Sequence, residues 1–118
     1  MKKIRILITI IAAIFFSLFN ISYAKSEVLE VSDILLDIEE LRGSEVTTGG
    51  FFMSIGTMAF LYEELGSMTF ISVETKGAER KDRKYLLKEC GSGCNIKLKG
   101  SLSEQFGLVT LTLGSVVK

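Results

Sequence analysis

The chain has 118 residues, of which 14 are basic, 14 are acidic and none is histidine. The lack of histidine removes the most common general base and the imidazole metal ligand, and two cysteines are too few for a four-cysteine zinc site. The composition thus excludes Ser-His and Cys-His catalysis, imidazole metal ligands and a four-cysteine zinc site, and our expectation for the whole chain is a protein without enzyme activity, cofactor or metal site.

The first 24 residues have the pattern of a secretory signal peptide. Three cations lie within the first five positions, residues 6–19 are apolar, and Ser22 and Ala24 supply the small residues that precede a cleavage site. The apolar run is shorter than the ~20 residues that a membrane-spanning helix needs. We expect residues 1–24 to be cleaved and residues 25–118 to be exported as a single domain without a membrane span. A periplasmic location is favoured over an extracellular one.

The domain that remains after this cleavage is mildly acidic. It carries 11 basic and 14 acidic residues, because three of the cations belong to the signal peptide. A net negative charge gives no overall attraction to nucleic acid or to an anionic membrane surface.

An amphipathic helix is the first element predicted in this domain. After a polar lead-in over residues 25–30, Ser32 is suited to cap the helix and Gly43 to end it. Its apolar residues recur at helical spacing and are Ile34, Leu35, Ile38 and Leu41. We expect this helix to pack against the sheet or across one end of it.

Three strands are predicted next, over residues 44–53, 58–62 and 68–75. Gly49 and Gly50 interrupt the first of them, and paired glycines in a strand are typical of a bulge or a sharp bend. Such a bend would let the first strand pair with two neighbours.

The second half of the chain predicts a helix over residues 78–89 and strands over residues 95–100 and 108–113, with a polar connection over residues 101–107. The apolar side of the helix consists of Tyr85, Leu86, Leu87 and Cys90. Three strands, a helix and two strands follow the order of a five-stranded Greek-key barrel of the oligonucleotide/oligosaccharide-binding (OB) type. We therefore predict a mainly β protein with this fold and a helix before its first strand.

The runs 58–62, 68–73 and 82–87, leading to Cys90 and Cys94, resemble small exported bacterial OB-fold proteins. The resemblance extends over about residues 31–117 and lies in the order of the elements more than in any motif. It implies the fold, and it carries over no catalytic residue.

Cys90 and Cys94 are predicted to form a structural disulfide. Two cysteines close in sequence pair with each other in an oxidising compartment, and Gly91 and Gly93 permit the tight reversal between them. The alternative is a thiol-disulfide redox pair. Redox cysteines are typically spaced by two residues at a helix N-terminus, whereas these are spaced by three and Cys90 ends a helix.

A basic cluster lies on the second predicted helix and is a candidate anion patch. Glu79, Asp82 and Glu89 are interleaved with its cations, which is typical of a solvated helix with ion pairs between successive turns. The solvated interpretation is therefore favoured over anion binding. The cluster consists of Arg80, Lys81, Arg83, Lys84 and Lys88.

Phe60, Tyr62 and Phe70 are the candidate binding face. If their side of the second and third strands faces outward, they form an aromatic surface where OB folds commonly bind ligands. If it faces inward they are core, which is the default because aromatic residues dominate small cores. The alternation of Ile71 and Val73 indicates that Phe70 points outward, whereas Phe60 is a more natural core residue than Ala59.

The leading hypothesis for function is an exported, non-enzymatic binding module of the cell envelope. Its contact surface would be the second and third strands with the loops at residues 54–57 and 101–107. The partner would be an unidentified small molecule, a glycan or an envelope protein. A redox protein using Cys90 and Cys94 is the alternative. Single-strand nucleic-acid binding by fold analogy is weaker, because the domain is acidic and exported.

Overall fold

A computed structural model describes residues 27–118, and the predicted signal peptide lies outside this range. No helix in the described part is long and apolar enough to cross a membrane. The elements are β1 (Val28–Glu30), α1 (Val31–Leu36), α2 (Ile38–Leu41), β2 (Glu45–Ile55), β3 (Met58–Tyr62), β4 (Phe70–Glu74), α3 (Arg80–Glu89), β5 (Cys94–Gln105) and β6 (Leu108–Val117).

Five of the six strands pair into a closed ring. β2 pairs with β3 and β3 with β4, both antiparallel, and β4 pairs with β6 in parallel. β6 then pairs with β5, and β5 returns to β2, again in antiparallel register. This mixed sheet confirms the mainly β class, and the order of its five ring strands along the chain is the predicted one.

β1 is a sixth strand that the sequence did not predict, since residues 28–30 were expected to be a lead-in. It pairs in parallel with β2, Leu29 opposite Thr48. The fully buried Thr48 hydroxyl donates a hydrogen bond of 2.9 Å to the Leu29 carbonyl. Three residues are too short a run for alternation to reveal a strand, so this contact with β2 determines it.

β2 runs through both glycines and continues two residues beyond the prediction. It pairs with β5 over residues 45–52 and with β3 over residues 51–55, as the prediction of two neighbours requires. A Cβ atom at Gly50 would overlap the backbone of Tyr62, whereas one at Gly49 would meet only ordinary contacts, 3.6 Å from Lys97 Cγ. Gly50 is therefore needed for a close approach between strands, and the ladder irregularity lies instead between Lys99 and Gly100.

The core fills the inside of the ring. Ile71 and Val73 point inward as predicted. The expectation for β3 was wrong: Ala59 is only 7% exposed, whereas Phe60 is half-buried on the outer face. Fully buried Leu61 fixes this choice, because residues two apart on a strand share a face. The inward residues of the ring include Phe52, Ala59, Leu61, Ile71, Val73, Leu98, Leu102, Val109, Leu111 and Leu113.

The first predicted helix is divided in two at Asp37. α1 begins at Val31, one residue before the predicted cap, because Glu30 and Asp33 form a reciprocal capping box. Val31, Ile34 and Ile38 are buried, so these helices pack on the ring at the end where β2 begins.

α3 lies at the other end, between the end of β4 and the start of β5. Leu86 and Cys90 are buried as predicted, but Leu87 is 77% exposed and does not belong to the apolar side. Adjacent residues on a helix point about 100° apart, so Leu86 and Leu87 cannot both face the core centre.

β5 and β6 are longer than predicted. Most of the expected connection over residues 101–107 is strand, and only Phe106 and Gly107 form the turn. Leu102 is buried and continues the inward alternation of Leu98 and Gly100, while the polar residues between them face outward. Because the outward residues are polar, this segment resembles a loop in composition and was predicted to be a connection instead of a strand.

Candidate binding face

Phe60, Tyr62 and Phe70 form one aromatic cluster on the outside of the ring. The antiparallel register sets Tyr62 opposite Phe70, and Phe60 lies two residues along the same face of β3. The ring centroids of Tyr62 and Phe70 are 5.5 Å apart, those of Phe60 and Phe70 5.6 Å, and those of Phe60 and Tyr62 6.4 Å. The sequence alternation thus places all three predicted residues together, and we call them the aromatic face.

The aromatic face is ridged and not flat. Phe60 meets Phe70 edge to face at 88°, while Tyr62 is tilted by 44° to Phe70 and by 53° to Phe60. Edge-to-face pairs are favourable because the positive edge of one ring meets the negative face of the next. Phe70 is 39% exposed and the other two are half-buried, so the cluster presents part of its apolar surface to solvent.

The surroundings of the aromatic face are acidic. β3 and β4 contain no cation, and Glu63, Glu64 and Glu74 lie at their ends. Glu63 is fastened to α1, because the backbone N–H of Ser32 donates to its carboxylate at 3.3 Å and the Ser32 hydroxyl donates to the same oxygen. This contact ties the end of β3 to a helix packed on the ring.

Cys90 and Cys94 lie within disulfide-bonding distance, as predicted, with Cα atoms 4.9 Å apart. Cys90 follows the last turn of α3 and is fully buried, and Cys94 begins β5. Gly93 has a φ of +100°, and a Cβ atom there would overlap the ring of Phe51, the residue opposite Tyr62. The linker between the cysteines therefore covers the side of β2 next to the aromatic face.

The redox alternative gains no support from this geometry. Cys90 is fully buried and Cys94 is half-buried, so an attacking thiolate could approach this pair only from the side of Cys94. Among the described residues, no group of three or more cysteines or carboxylates could hold a metal ion.

The five cations of the predicted anion patch are all exposed on α3. The expected ion pairs between successive turns do not form within the described part of the chain. Lys81 contacts Glu79 at 3.6 Å, and Asp82 is only 5% exposed. The patch lies at the α3 end of the ring, away from the centre of the aromatic face.

Phe106 is an exposed aromatic residue in the segment that was predicted to be a polar connection. It lies at the tip of the β5–β6 hairpin, fully exposed, with a φ of +53°. The sequence contains an indication of this turn, because Gly107 lies between two alternating runs and two-residue hairpin turns favour glycine at their second position.

The fold is similar to that of a solved binding protein. No family model and no curated protein matches the chain. A solved structure described as an OBody, AM1L10, bound to hen egg-white lysozyme is similar over 65% of this chain and 79% of that chain, with 18% identity and a TM-score of 0.49. A likeness of this size carries no conclusion about the function of the present chain.

Proposed function

We propose that this chain is an exported, non-enzymatic binding module with an OB-type barrel, and that its mature form is residues 25–118. The closed ring of five strands, with α3 between β4 and β5, supports the OB-type assignment. The pairing of Cys90 with Cys94 is compatible with an oxidising location such as a periplasm.

The observation that carries the binding role is the aromatic face. Aromatic residues are enriched in protein interfaces, where a few of them supply most of the binding energy. Sugars and bases stack on the open face of a ring, but here the three rings are inclined to one another by 44° to 88° and form no continuous flat surface. A ridged apolar surface fits the side chains of a protein, so we assign the face to an envelope protein.

The acidic residues around the aromatic face indicate which partners it can bind. Because Glu63, Glu64 and Glu74 flank the aromatic face, a partner that covers it brings an apolar centre and a basic or neutral rim. A strongly acidic partner, including nucleic acid, would meet like charges at both ends of β3 and β4.

A photo-cross-linking amino acid introduced at Phe70 in living cells tests this proposal. We expect an adduct with one protein of discrete mass, and no adduct when the same amino acid replaces Ser103 on the outer face of β5. The identified partner is then purified. The double variant F60S/Y62S, which truncates two half-buried rings on the outer face of β3, should bind it at least about tenfold more weakly while its circular dichroism spectrum stays that of the parent, since hot-spot truncations cost upwards of about 2 kcal/mol.

Two results would contradict the protein assignment. One is an adduct only between two copies of this chain, which would make the face a self-association surface. The other is retention of the protein by purified cell-wall glycan that is lost in F60S/Y62S, which would make the ligand a carbohydrate.

A further inference from the structure

The charges of α3 alternate in the sequence but separate on the folded helix. At about 100° per residue, its five cations fall within an arc of about 160°, and Asp82 and Glu89 project from the opposite side. The buried Asp82 faces the domain, so it does not neutralise the exposed surface. We call this arc the cationic arc; it is formed by Arg80, Lys81, Arg83, Lys84 and Lys88.

Leu87 is the one apolar residue within the cationic arc, and it is exposed. It lies on the rim of a groove between α3 and the β2–β3 hairpin, together with Arg83 and the 59%-exposed Met58. Phe52, Ala59 and Leu86 line the groove below them. No acidic residue lines this groove.

The rest of the domain has the opposite charge. Residues 27–74 contain ten acidic residues and one basic residue, whereas residues 75–118 contain nine basic and four acidic residues. The helices α1 and α2, which belong to the acidic part, pack at the other end of the ring from α3. The small net charge of the domain therefore conceals a strong separation, which would orient it toward an anionic surface.

We infer that the α3 end of the domain docks on an anionic lipid surface. In this arrangement the cationic arc contacts lipid phosphates, while Leu87 and Met58 enter the boundary between headgroups and acyl chains. Basic residues and exposed apolar residues on the same face are the combination that binds proteins peripherally to anionic membranes. A soluble phosphate polymer would satisfy the cations but leave Leu87, Met58 and the groove uncovered.

Co-sedimentation with lipid vesicles tests the inference. The protein is recovered from cells expressing the full chain, and its amino terminus is read by mass spectrometry. It is mixed with vesicles of phosphatidylcholine alone or with an equal part of phosphatidylglycerol. Any retained apolar leader would bind both vesicles alike, so the measured quantity is the difference between the two affinities.

We expect binding to the anionic vesicles only, and a decrease with added salt. The double variant R80Q/K84Q should bind about 30-fold more weakly, since each cation near the surface contributes about 1 kcal/mol. The matched control R42Q/K99Q also removes two cations, but these contact Glu39 and Glu45 near the start of β2. Its affinity should stay close to that of the parent protein.

The variant L87S separates a lipid surface from a phosphate polymer. Leu87 is exposed, so its replacement leaves the fold intact, and we expect weaker vesicle binding at unchanged charge. Equal binding to both vesicles, or an equal loss in R80Q/K84Q and R42Q/K99Q, would overturn the inference. So would unchanged vesicle binding by L87S together with full displacement of the protein by long-chain polyphosphate.

Discussion

Among residues 27–118, Phe106 is the non-glycine residue with a positive φ, a conformation that an ordinary side chain disfavours. Phe106 and Gly107 are the two central residues of the β5–β6 hairpin, and their φ angles are +53° and +79°. A turn with positive φ at both positions favours asparagine followed by glycine. A left-handed conformation costs an ordinary L-residue roughly 1–2 kcal/mol, and the fully exposed ring of Phe106 makes no packing contact that offsets it.

Replacing Phe106 by asparagine should therefore stabilise the protein by about 1 kcal/mol, because asparagine tolerates this conformation better. For a domain of this size the melting temperature would rise by roughly 4–8 °C, measured by circular dichroism. Phe106→Ala is the control, since alanine keeps the unfavourable φ and should change the melting temperature little. A lower melting temperature for Phe106→Asn would contradict the prediction.

The burial of individual residues marks the limit of what this sequence can predict. The bounds of β3 agree with the prediction, residues 58–62, but both of its faces are apolar. Alternation therefore left open whether Phe60 or Ala59 faces the core. Small Ala59 fits inside a closed ring, where strands from all sides compete for space, and the larger Phe60 is left outside.

At the scale of elements, the segment from α3 to β5 depends on the link between Cys90 and Cys94. Cys90 follows the helix, Cys94 begins the strand opposite Phe52, and Gly93 between them leaves no room for a Cβ beside the ring of Phe51. The order of helix, turn and strand was predictable, because Gly-Ser-Gly between two cysteines indicates a turn that a disulfide can close. The contact with Phe51 was not, because it depends on the path of β2.

The double variant C90A/C94A should lose about 2 kcal/mol of unfolding free energy, the value expected for closing so short a loop. Urea unfolding followed by circular dichroism gives this difference. The parent protein treated with a thiol reductant should show a similar loss, while the double variant should not respond to reductant. If the double variant unfolded at the same urea concentration as the oxidised parent, the link would contribute no stability.

At the scale of the whole molecule, the pairings between neighbouring strands, here called joints, differ in length around the ring. β5 pairs with β6 through nine residue pairs and with β2 through eight, whereas β4 and β6 share three. The β4–β6 joint is also parallel, and parallel pairing is slightly less stable per residue than antiparallel pairing. Element order predicts which strands exist, but only the folded chain shows which joint is short, because pairing between distant segments leaves no local pattern.

We therefore expect the ring to open first between β4 and β6. In native-state hydrogen exchange, the amides of the β4–β6 joint should exchange through a partial opening, with a lower free energy than those of the β2–β5 ladder. The variant V73A removes buried contacts at this joint. It should lower the free energy of opening measured at the β4–β6 amides by more than the free energy measured at the amide of Leu98 in β5. A substitution at exposed Thr112, T112S, serves as the control and should leave both free energies unchanged. If the amides of both regions exchanged with the same free energy in the parent protein and in V73A, the ring would unfold as one cooperative unit and the prediction would be wrong.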